Sequence, residues 1–362
     1  MGFSCGLVGL PNAGKSTIFN ALSAAGARVE SYPFCTIEAK LGRVPVADPR
    51  LDQLAGLFTD KEKVPTQLEF IDIAGLVEGA SKGEGMGNQF LAEIRTVDAL
   101  LHVVRCFSDQ NVAHVTGKID PLRDVQVVET ELLLKDYETL RRMRERLARQ
   151  TKGGGKHSAE QLAACERLLE VVARGEAIRG LDLDREMEWI TRELALLSAK
   201  PLLYVANIGD DGENIHSQKV EVLARERGTQ SIPIRGRIEA EIVEVAGSEQ
   251  ERREYLQEWG LSETGLTRLV KAGYALLDLV TFFTFVGPQV RAWTVPQHTP
   301  APKAGGKIHS DFEERFVLAE VMNLGELISA GSETALREQG RVIRAGQEYE
   351  VADGDVIHFI CA

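Results

Sequence analysis

The stretch GLVGLPNAGKST, residues 6–17, is the most informative part of this sequence. It matches the pattern G-x-x-x-x-G-K-[ST] at Gly9, Gly14, Lys15 and Ser16. The match follows an apolar, strand-like run and precedes the helix-like segment STIFNALSAAG, which is the context that the pattern requires. We therefore predict a P-loop, in which backbone N–H groups surround a phosphate at the N-terminus of a helix.

The loop residues have distinct predicted roles. Backbone N–H groups from Asn12 to Thr17 are expected to bind the β-phosphate of a nucleotide. The ammonium group of Lys15 is predicted to span the β- and γ-phosphates, and the hydroxyl of Ser16 to ligate Mg²⁺. The predicted nucleotide-binding residues of the loop are Asn12, Ala13, Gly14, Lys15, Ser16 and Thr17.

A second motif, FIDIAG at residues 70–75, ends an apolar run on Asp72. A carboxylate at this position reaches the metal through a water molecule, and the N–H group of Gly75 can bind the γ-phosphate. Between the two motifs, Thr36 is placed to supply a second hydroxyl to Mg²⁺. The spacing is typical of a switch GTPase, and the predicted metal ligands are Ser16, Thr36 and Asp72.

Composition and charge restrict the classes of function. The chain has 362 residues, 44% of them apolar, and a formal net charge of -12. That charge argues against a protein that coats nucleic acid along its whole surface, so any nucleic-acid contact must be local. The first apolar run lacks a basic segment before it, and no apolar run is long enough to cross a bilayer. We therefore expect a cytoplasmic protein without membrane contact.

Three styles of sequence follow one another along the chain. Short apolar runs first alternate with helix-like segments, as in a doubly wound α/β sheet with mostly parallel strands. Residues 123–199 then show the apolar spacing of amphipathic helices, with glycines at 153–155 as the turn of a helical hairpin. Strand-like sequence resumes at Pro201. We predict a P-loop domain over 1–277, interrupted by the 123–199 hairpin, and a small β-rich domain over 278–362.

The most basic segment covers residues 135–156, with eight basic and three acidic residues. Such a segment is either a solvated helix face or a local contact for a polyanion. Two further lysines, Lys303 and Lys307, flank a glycine pair in the C-terminal domain. The basic residues near the predicted hairpin tip include Arg141, Arg142, Arg144, Arg149, Lys152 and Lys156.

Four stretches together resemble the YchF or Obg-like ATPase family. They are GLPNAGKSTIFNAL, YPFCTIEAKLGRVPVADPRLDQL, DIAGLVEGASKGEGMGNQFLAEIR and AGGKIHSDFEERFVLAEV, and the resemblance covers nearly the whole chain. It implies a P-loop GTPase-type domain with a helical insertion, followed by a TGS domain of β-grasp shape. It also implies an ATPase that associates with ribosomes, and we expect it to bind the large subunit through ribosomal RNA, whose phosphates the basic residues would contact.

The base-reading stretch departs from the guanine pattern Asn-Lys-x-Asp. The matching residues are Asn207, Ile208, Gly209 and Asp210. Apolar Ile208 suits stacking on adenine, whereas Asp210, shorter than the family's usual Glu, restores half of the guanine pattern and leaves GTP binding open. Where the family usually has Ser-Ala, this chain has Arg235 and Gly236. Arg235 either stacks on or near the base or is a surface side chain.

Turnover is expected to be slow. Ras-like proteins orient the attacking water with a Gln just after the Asp-x-x-Gly motif, and this chain has Leu76 there. The resemblance points to His114 as a loop histidine that reaches the site, although a purely structural role stays open. The glycine-rich residues 78–88 are expected to supply a mobile switch segment. The predicted catalytic residues are His114, Lys15 and Gly75.

Three functions are compatible with these motifs. The first is an ATPase that acts as a nucleotide-dependent switch on the ribosome. The second is a nucleotide-gated module that binds RNA or the ribosome and in which hydrolysis is incidental. The third is a conventional translational GTPase, which Asp210 keeps open.

Overall fold

A computed structural model describes most of the chain. The described residues are 3–24, 28–31, 40–73, 93–109, 111–114, 117–151, 156–245, 249–260 and 263–362. The chain divides into two compact units, one of Met1–Val44 with Glu69–Leu269 and one of Pro45–Leu68 with Val270–Ala362. The segment Pro45–Leu68 therefore belongs with C-terminal residues, although it is surrounded in sequence by the first unit. The domain limits of 277 and 278 stay a prediction.

The first unit is built on a seven-stranded sheet with the order β2-β3-β5-β1-β6-β7-β8. Its strands are β1 (Phe3–Val8), β2 (Arg28–Ser31), β3 (Lys40–Pro45), β5 (Gln67–Asp72), β6 (Ala99–Cys106), β7 (Leu202–Ile208) and β8 (Ser231–Ile234). The pairs β1 with β6, β6 with β7 and β7 with β8 are parallel, and β2 with β3 is antiparallel. The predicted mostly parallel α/β fold is confirmed.

Helices surround this sheet. They are α1 (Lys15–Ala24), α3 (Pro121–Thr151), α4 (Lys156–Ala173), α5 (Arg185–Glu193), α6 (Ile215–Glu226), α7 (Gly236–Val245), α8 (Glu249–Glu258) and α9 (Gly265–Leu276), with a 3₁₀ turn at Leu197–Ala199. Every residue of β6 and β7 is buried, as expected for parallel strands covered on both faces. The carboxyl ends of these strands carry the candidate site.

Helices α3 and α4 form the predicted hairpin. They have their own apolar core, in which Leu140, Met143 and Leu147 of α3 belong to one cluster with Cys165 and Leu168 of α4. Spacings of three and four residues place these side chains on one face of each helix, so the apolar spacing in the sequence predicts the hairpin. The predicted turn glycines at 153–155 lie outside the described residues.

The second unit contains a six-stranded mixed sheet with the order β12-β11-β13-β9-β10-β4. Its strands are β4 (Glu62–Val64), β9 (Leu279–Thr284), β10 (Gln289–Pro296), β11 (Phe316–Asn323), β12 (Ile343–Ala345) and β13 (Asp355–Cys361). Its helices are α2 (Pro49–Leu57), α10 (Ala301–Gly306), α11 (Ser310–Glu314), α12 (Leu324–Ala330) and α13 (Glu333–Glu338). This arrangement is consistent with the expected β-grasp shape.

The second unit has an apolar cluster on each face of its sheet. Neighbouring residues Phe282 and Phe283 belong to different clusters, because successive side chains of a strand point to opposite faces. Leu51 and Leu54 of α2 lie in the same cluster as Phe283. This burial explains why Pro45–Leu68 belongs to the second unit. Among the described helices of the whole chain, none is both long and apolar enough to cross a membrane.

Candidate nucleotide-binding site

The loop between β1 and α1 needs glycine at two positions. Gly9 has φ 151° and Gly14 has φ 97°, both in the region that glycine favours. A Cβ on Gly9 would lie 2.4 Å from the carbonyl oxygen of Val103, and one on Gly14 would lie 2.1 Å from Nδ2 of Asn207. The loop therefore packs so closely on β6 and β7 that the two pattern glycines admit no side chain.

Lys15 is buried at the base of this loop, with 7% of its surface exposed. Its Nζ donates hydrogen bonds to the carbonyl oxygens of Gly9 at 3.1 Å and Leu10 at 3.0 Å. Burial lowers the pKa of Lys15 to about 8, and the nearby carboxylate of Asp72 opposes this shift. The loop thus holds a partly desolvated cation among backbone groups.

Ser16 and Asp72 are brought together by the fold. The Asp72 carboxylate accepts a hydrogen bond from Ser16, which lowers its pKa, but burial is the larger cause and the pKa is raised. A hydroxyl and a carboxylate side by side are oxygen ligands of the type that Mg²⁺ prefers, so these residues fit such an ion. The other two predicted residues of this part of the site, Thr36 and Gly75, lie outside the described residues.

Asn207, at the end of β7, connects three segments. Its Nδ2 donates to the carbonyl oxygen of Ala13 at 2.9 Å, and its Oδ1 accepts from the backbone N–H of Gly236 at 3.2 Å. The side chain is buried, so both bonds are shielded from water. The predicted base-reading stretch and the start of α7 are therefore both joined to the P-loop.

A cavity of about 380 Å³ lies beside the base-reading turn. Its lining includes Ile208, Gly212, Pro233, Arg235, Glu239 and Arg268. A Cβ on Gly212 would lie 2.9 Å from Nη2 of Arg235, so the guanidinium lies against this turn. Ile208 and Arg235 thus share one cavity wall, an arrangement compatible with the expected contacts to a base.

Asp210 lies on the turn after β7 and forms an ion pair with Arg237, in the first turn of α7. Arg237 was not singled out from the sequence. A signal was available, because an arginine in the first turn of a helix is unfavourable with the helix dipole and suggests a partner elsewhere.

His114 is held by Asp124, with 3.0 Å between Nε2 and Oδ2. Both side chains are largely buried. Burial raises the pKa of Asp124, and the hydrogen bond from His114 opposes this shift. Asn12 of the P-loop donates through Nδ2 to the carbonyl oxygen of Ala113 at 3.1 Å. The histidine loop is therefore tied to the P-loop next to the predicted catalytic residue.

Arg105, at the end of β6, organises the same loop. Its guanidinium donates to the carbonyl oxygens of Val112 at 2.9 Å and Ala113 at 3.2 Å. Neither Arg105 nor Asp124 was singled out from the sequence. An arginine inside the apolar run ALLHVVRC was the available signal, because a charged residue is rarely buried without partners.

The hairpin arginines are mostly on the surface. Arg141, Arg142 and Arg149 are exposed and Arg144 is half-buried. Arg141 lies 3.7 Å from Glu145, one turn along α3. Lys152 and the side chain of Lys156 lie outside the described residues. In the second unit, the exposed Lys303 pairs with Glu313.

Strand β1, the glycine loop, Lys15 and the Ser16–Asp72 pair define a P-loop nucleotide-binding domain of the GTPase type. A family model described as 50S ribosome-binding GTPase matches residues 4–138. A second model, YchF-GTPase_C, described as a protein of unknown function (DUF933), matches residues 279–361. The N-terminal and C-terminal parts of the chain are thus matched by separate family models.

Full-length relatives identify the family. The ribosome-binding ATPase YchF of Escherichia coli O157:H7 is 46% identical over 99% of each chain. The protein of that name from Bacillus subtilis (strain 168) is 43% identical over 99% of each chain. The solved structure of the Schizosaccharomyces pombe YchF GTPase has a TM-score of 0.86 and 35% identity, covering 99% of this chain and 97% of that chain. The chain belongs to the YchF family, and the resemblance noted in the sequence is confirmed.

Proposed function

We propose that this protein is a ribosome-binding ATPase that binds ATP with Mg²⁺ and hydrolyses it slowly, in the cytoplasm. The observation that carries the proposal is the P-loop with its buried Lys15 and adjoining Ser16 and Asp72, in a chain 46% identical to a ribosome-binding ATPase over its whole length. The P-loop supports nucleotide binding, and the relatives' names support ATP and the ribosome.

The proposed phosphate contacts come from the first unit alone. Lys15 exchanges its bonds to Gly9 and Leu10 for the β- and γ-phosphates, and a phosphate favours its charged form because opposite charges attract. Ser16 and Asp72 hold Mg²⁺, with Thr36 as the proposed second hydroxyl and Gly75 as the proposed γ-phosphate donor. The ion would neutralise charge on the phosphates.

His114 is the proposed group that orients the attacking water. In the structure its Nε2 is bonded to Asp124, so the ring is held in a defined orientation close to the P-loop contact of Ala113. To reach the γ-phosphate with Nε2, the histidine has to release Asp124. This rearrangement, together with Leu76 in place of a polar residue, supports slow turnover of the isolated protein.

Ribosome contact is proposed through the phosphates of large-subunit ribosomal RNA. The exposed arginines of α3 support this proposal because phosphate binding requires clustered, accessible cations in a chain that is otherwise acidic. Lys303 and Lys307 are a second proposed contact.

ATP turnover measured with and without ribosomes tests the proposed switch. We expect ribosomes to stimulate hydrolysis by the wild type, and Ser16→Ala to weaken Mg²⁺-dependent binding and turnover together. A matched control is Ser329→Ala, on α12 of the second unit, which we expect to leave both unchanged. Ribosome binding without stimulation would favour the nucleotide-gated module, and tighter binding of GTP than ATP would favour a translational GTPase.

A further inference from the structure

Two segments meet beyond the P-loop, at the place where a base would be read. The first segment is the end of β7 with Asn207 and the turn after it with Asp210, and the second is the start of α7 with Gly236 and Arg237. The backbone N–H of Gly236 donates to Oδ1 of Asn207 at 3.2 Å, and the guanidinium of Arg237 pairs with the carboxylate of Asp210. Two contacts therefore join the segments, one buried and one at the surface.

The first turn of α7 is an unfavourable position for an arginine. The first turn of a helix favours acidic residues, because its unpaired N–H groups carry partial positive charge. On its own helix, Arg237 also pairs with Glu241 one turn away, with 3.8 Å between Nε and Oε1. Its close partner is Asp210 of the other segment. The charge of Arg237 is thus placed where it meets the carboxylate of the base-reading turn.

The pairing matters because guanine and adenine present different groups. A GTPase aspartate recognises guanine by accepting hydrogen bonds from the ring N1–H and the exocyclic amine, which requires a carboxylate with free lone pairs. Adenine has an unprotonated N1 and needs no such acceptor. Because Arg237 pairs with Oδ2 of Asp210, guanine has to compete with a guanidinium for part of the carboxylate, whereas adenine makes no use of that acceptor.

We propose that Arg237 is a specificity-determining residue, which pairs with Asp210 and so favours ATP over GTP. The inference rests on the proposed function, since it requires a nucleoside triphosphate in this site. Arg235 does not have this role: its guanidinium lies against Gly212 on the cavity wall. The departure at Asp210, which left GTP binding open, is in this way compensated by a cation 27 residues later in the sequence.

Exposure of the pair sets the size of the effect. The side chain of Arg237 is 69% exposed and that of Asp210 is 33% exposed, so solvent screens their attraction and guanine can displace the arginine at moderate cost. We therefore expect removal of Arg237 to narrow the preference for ATP by about fivefold, the upper end of what an exposed ion pair contributes.

A double-mutant cycle on the full-length protein tests this proposal. The dissociation constants of ATP and GTP, labelled on the ribose with a methylanthraniloyl group, are measured in Mg²⁺ for the wild type, Arg237→Ala, Asp210→Ala and the double variant. Arg237→Ala should lower the ratio of the GTP to the ATP dissociation constant about fivefold. With Asp210 already replaced, the same change should leave the ratio unaltered.

Two further variants separate specificity from general damage. Arg237→Lys keeps a cation beside Asp210 and should retain most of the ATP preference. Glu241→Ala removes the other partner of Arg237 and should leave the ratio at its wild-type value. A ratio for Arg237→Ala within twofold of wild type overturns the inference while the proposed ATPase stands. A wild type that binds GTP as tightly as ATP overturns both the inference and the preference for ATP.

Discussion

The P-loop and the helical hairpin belong to the same unit but depend on opposite kinds of interaction. In the P-loop, a missing Cβ on Gly14 leaves just enough room for Asn207, and Lys15 is 7% exposed. On the hairpin, the side chain of Arg141 is 62% exposed and lies 3.7 Å from Glu145. Close packing determines which side chains the P-loop admits, whereas the exposed face of the hairpin presents surface charge.

This difference predicts how each region responds to substitution. Buried contacts at short distance leave no room for adjustment, so one added methyl group in the P-loop should strongly weaken nucleotide binding. Exposed charges on the hairpin are screened by solvent and can substitute for one another. A single charge change there should therefore have little effect on ribosome binding, whereas several changes should add up.

Gly14→Ala should weaken ATP binding by about 100-fold or more. The new Cβ would lie 2.1 Å from Nδ2 of Asn207, at a φ of 97° that alanine rarely adopts. Binding of methylanthraniloyl ATP measures the effect. The control is Gly56→Ala on α2, where no atom lies within 4 Å of the added Cβ. ATP binding by Gly14→Ala within threefold of wild type would refute the packing argument.

Reversing four hairpin charges should weaken ribosome binding by about tenfold or more at low salt, because each lost phosphate contact adds to the total. The variant carries Arg141→Glu, Arg142→Glu, Arg144→Glu and Arg149→Glu, and co-sedimentation with ribosomes is the measurement. Arg141→Glu alone should have an effect below about twofold.

A control with the same change in net charge makes this test specific. It reverses four exposed arginines outside the 123–199 hairpin: Arg225, Arg315, Arg341 and Arg344. We expect this control to pellet more than the hairpin variant. Equal pelleting of both would show that net charge matters and the hairpin does not, and undiminished pelleting of the hairpin variant would exclude the hairpin as the contact.

His114→Ala should lower kcat about tenfold with little change in ATP affinity, as expected for a group used in the transition state. The environment of His114 is intermediate between those of the P-loop and the exposed hairpin face, because its side chain is buried against Asp124 but belongs to a loop. Single-turnover hydrolysis and equilibrium binding separate the two quantities. Hydrolysis by His114→Ala at the wild-type rate would assign His114 a structural role. The control is Asn111→Ala, on the exposed part of the same loop.

Lys15→Met should stabilise the nucleotide-free protein by about 2 kcal/mol at pH 7, and the gain should shrink as pH rises. Folding lowers the pKa of Lys15 from 10.5 to about 8, so the folded state carries the cost of a buried cation below pH 8. Between these values the folded lysine is already neutral while the unfolded one still binds a proton, and the wild type gains stability with rising pH. Above pH 10.5 the lysine is neutral in both the folded and the unfolded state, so the electrostatic part of the stability gain of Lys15→Met is lost.

Urea unfolding at several pH values measures this change. Lys219→Met replaces an exposed lysine on α6 and is the control, for which we expect no such dependence on pH. A gain for Lys15→Met that is constant from pH 7 to above 10.5 would contradict the assigned cause. The test separates the cost of the buried cation from its role in binding, because no nucleotide is present.

Several features were predictable because they are local in sequence. The P-loop needs glycines and a lysine at fixed spacing before a helix, so Gly9, Gly14, Lys15 and Ser16 could be read directly. The helical hairpin was predictable from the sequence because an amphipathic helix repeats its apolar residues every three or four positions. The alternation of strands and helices identified the α/β class for the same reason.

The tertiary structure alone decided which distant residues meet these local features. Asn207 contacts Ala13 across 194 positions, Arg237 pairs with Asp210, and Asp124 and Arg105 hold the loop of His114. Pro45–Leu68 joins the second unit because Leu51 and Leu54 are buried there. Sequence periodicity records which face of an element is apolar, but the partner of that face or of a lone charge depends on how the whole chain packs.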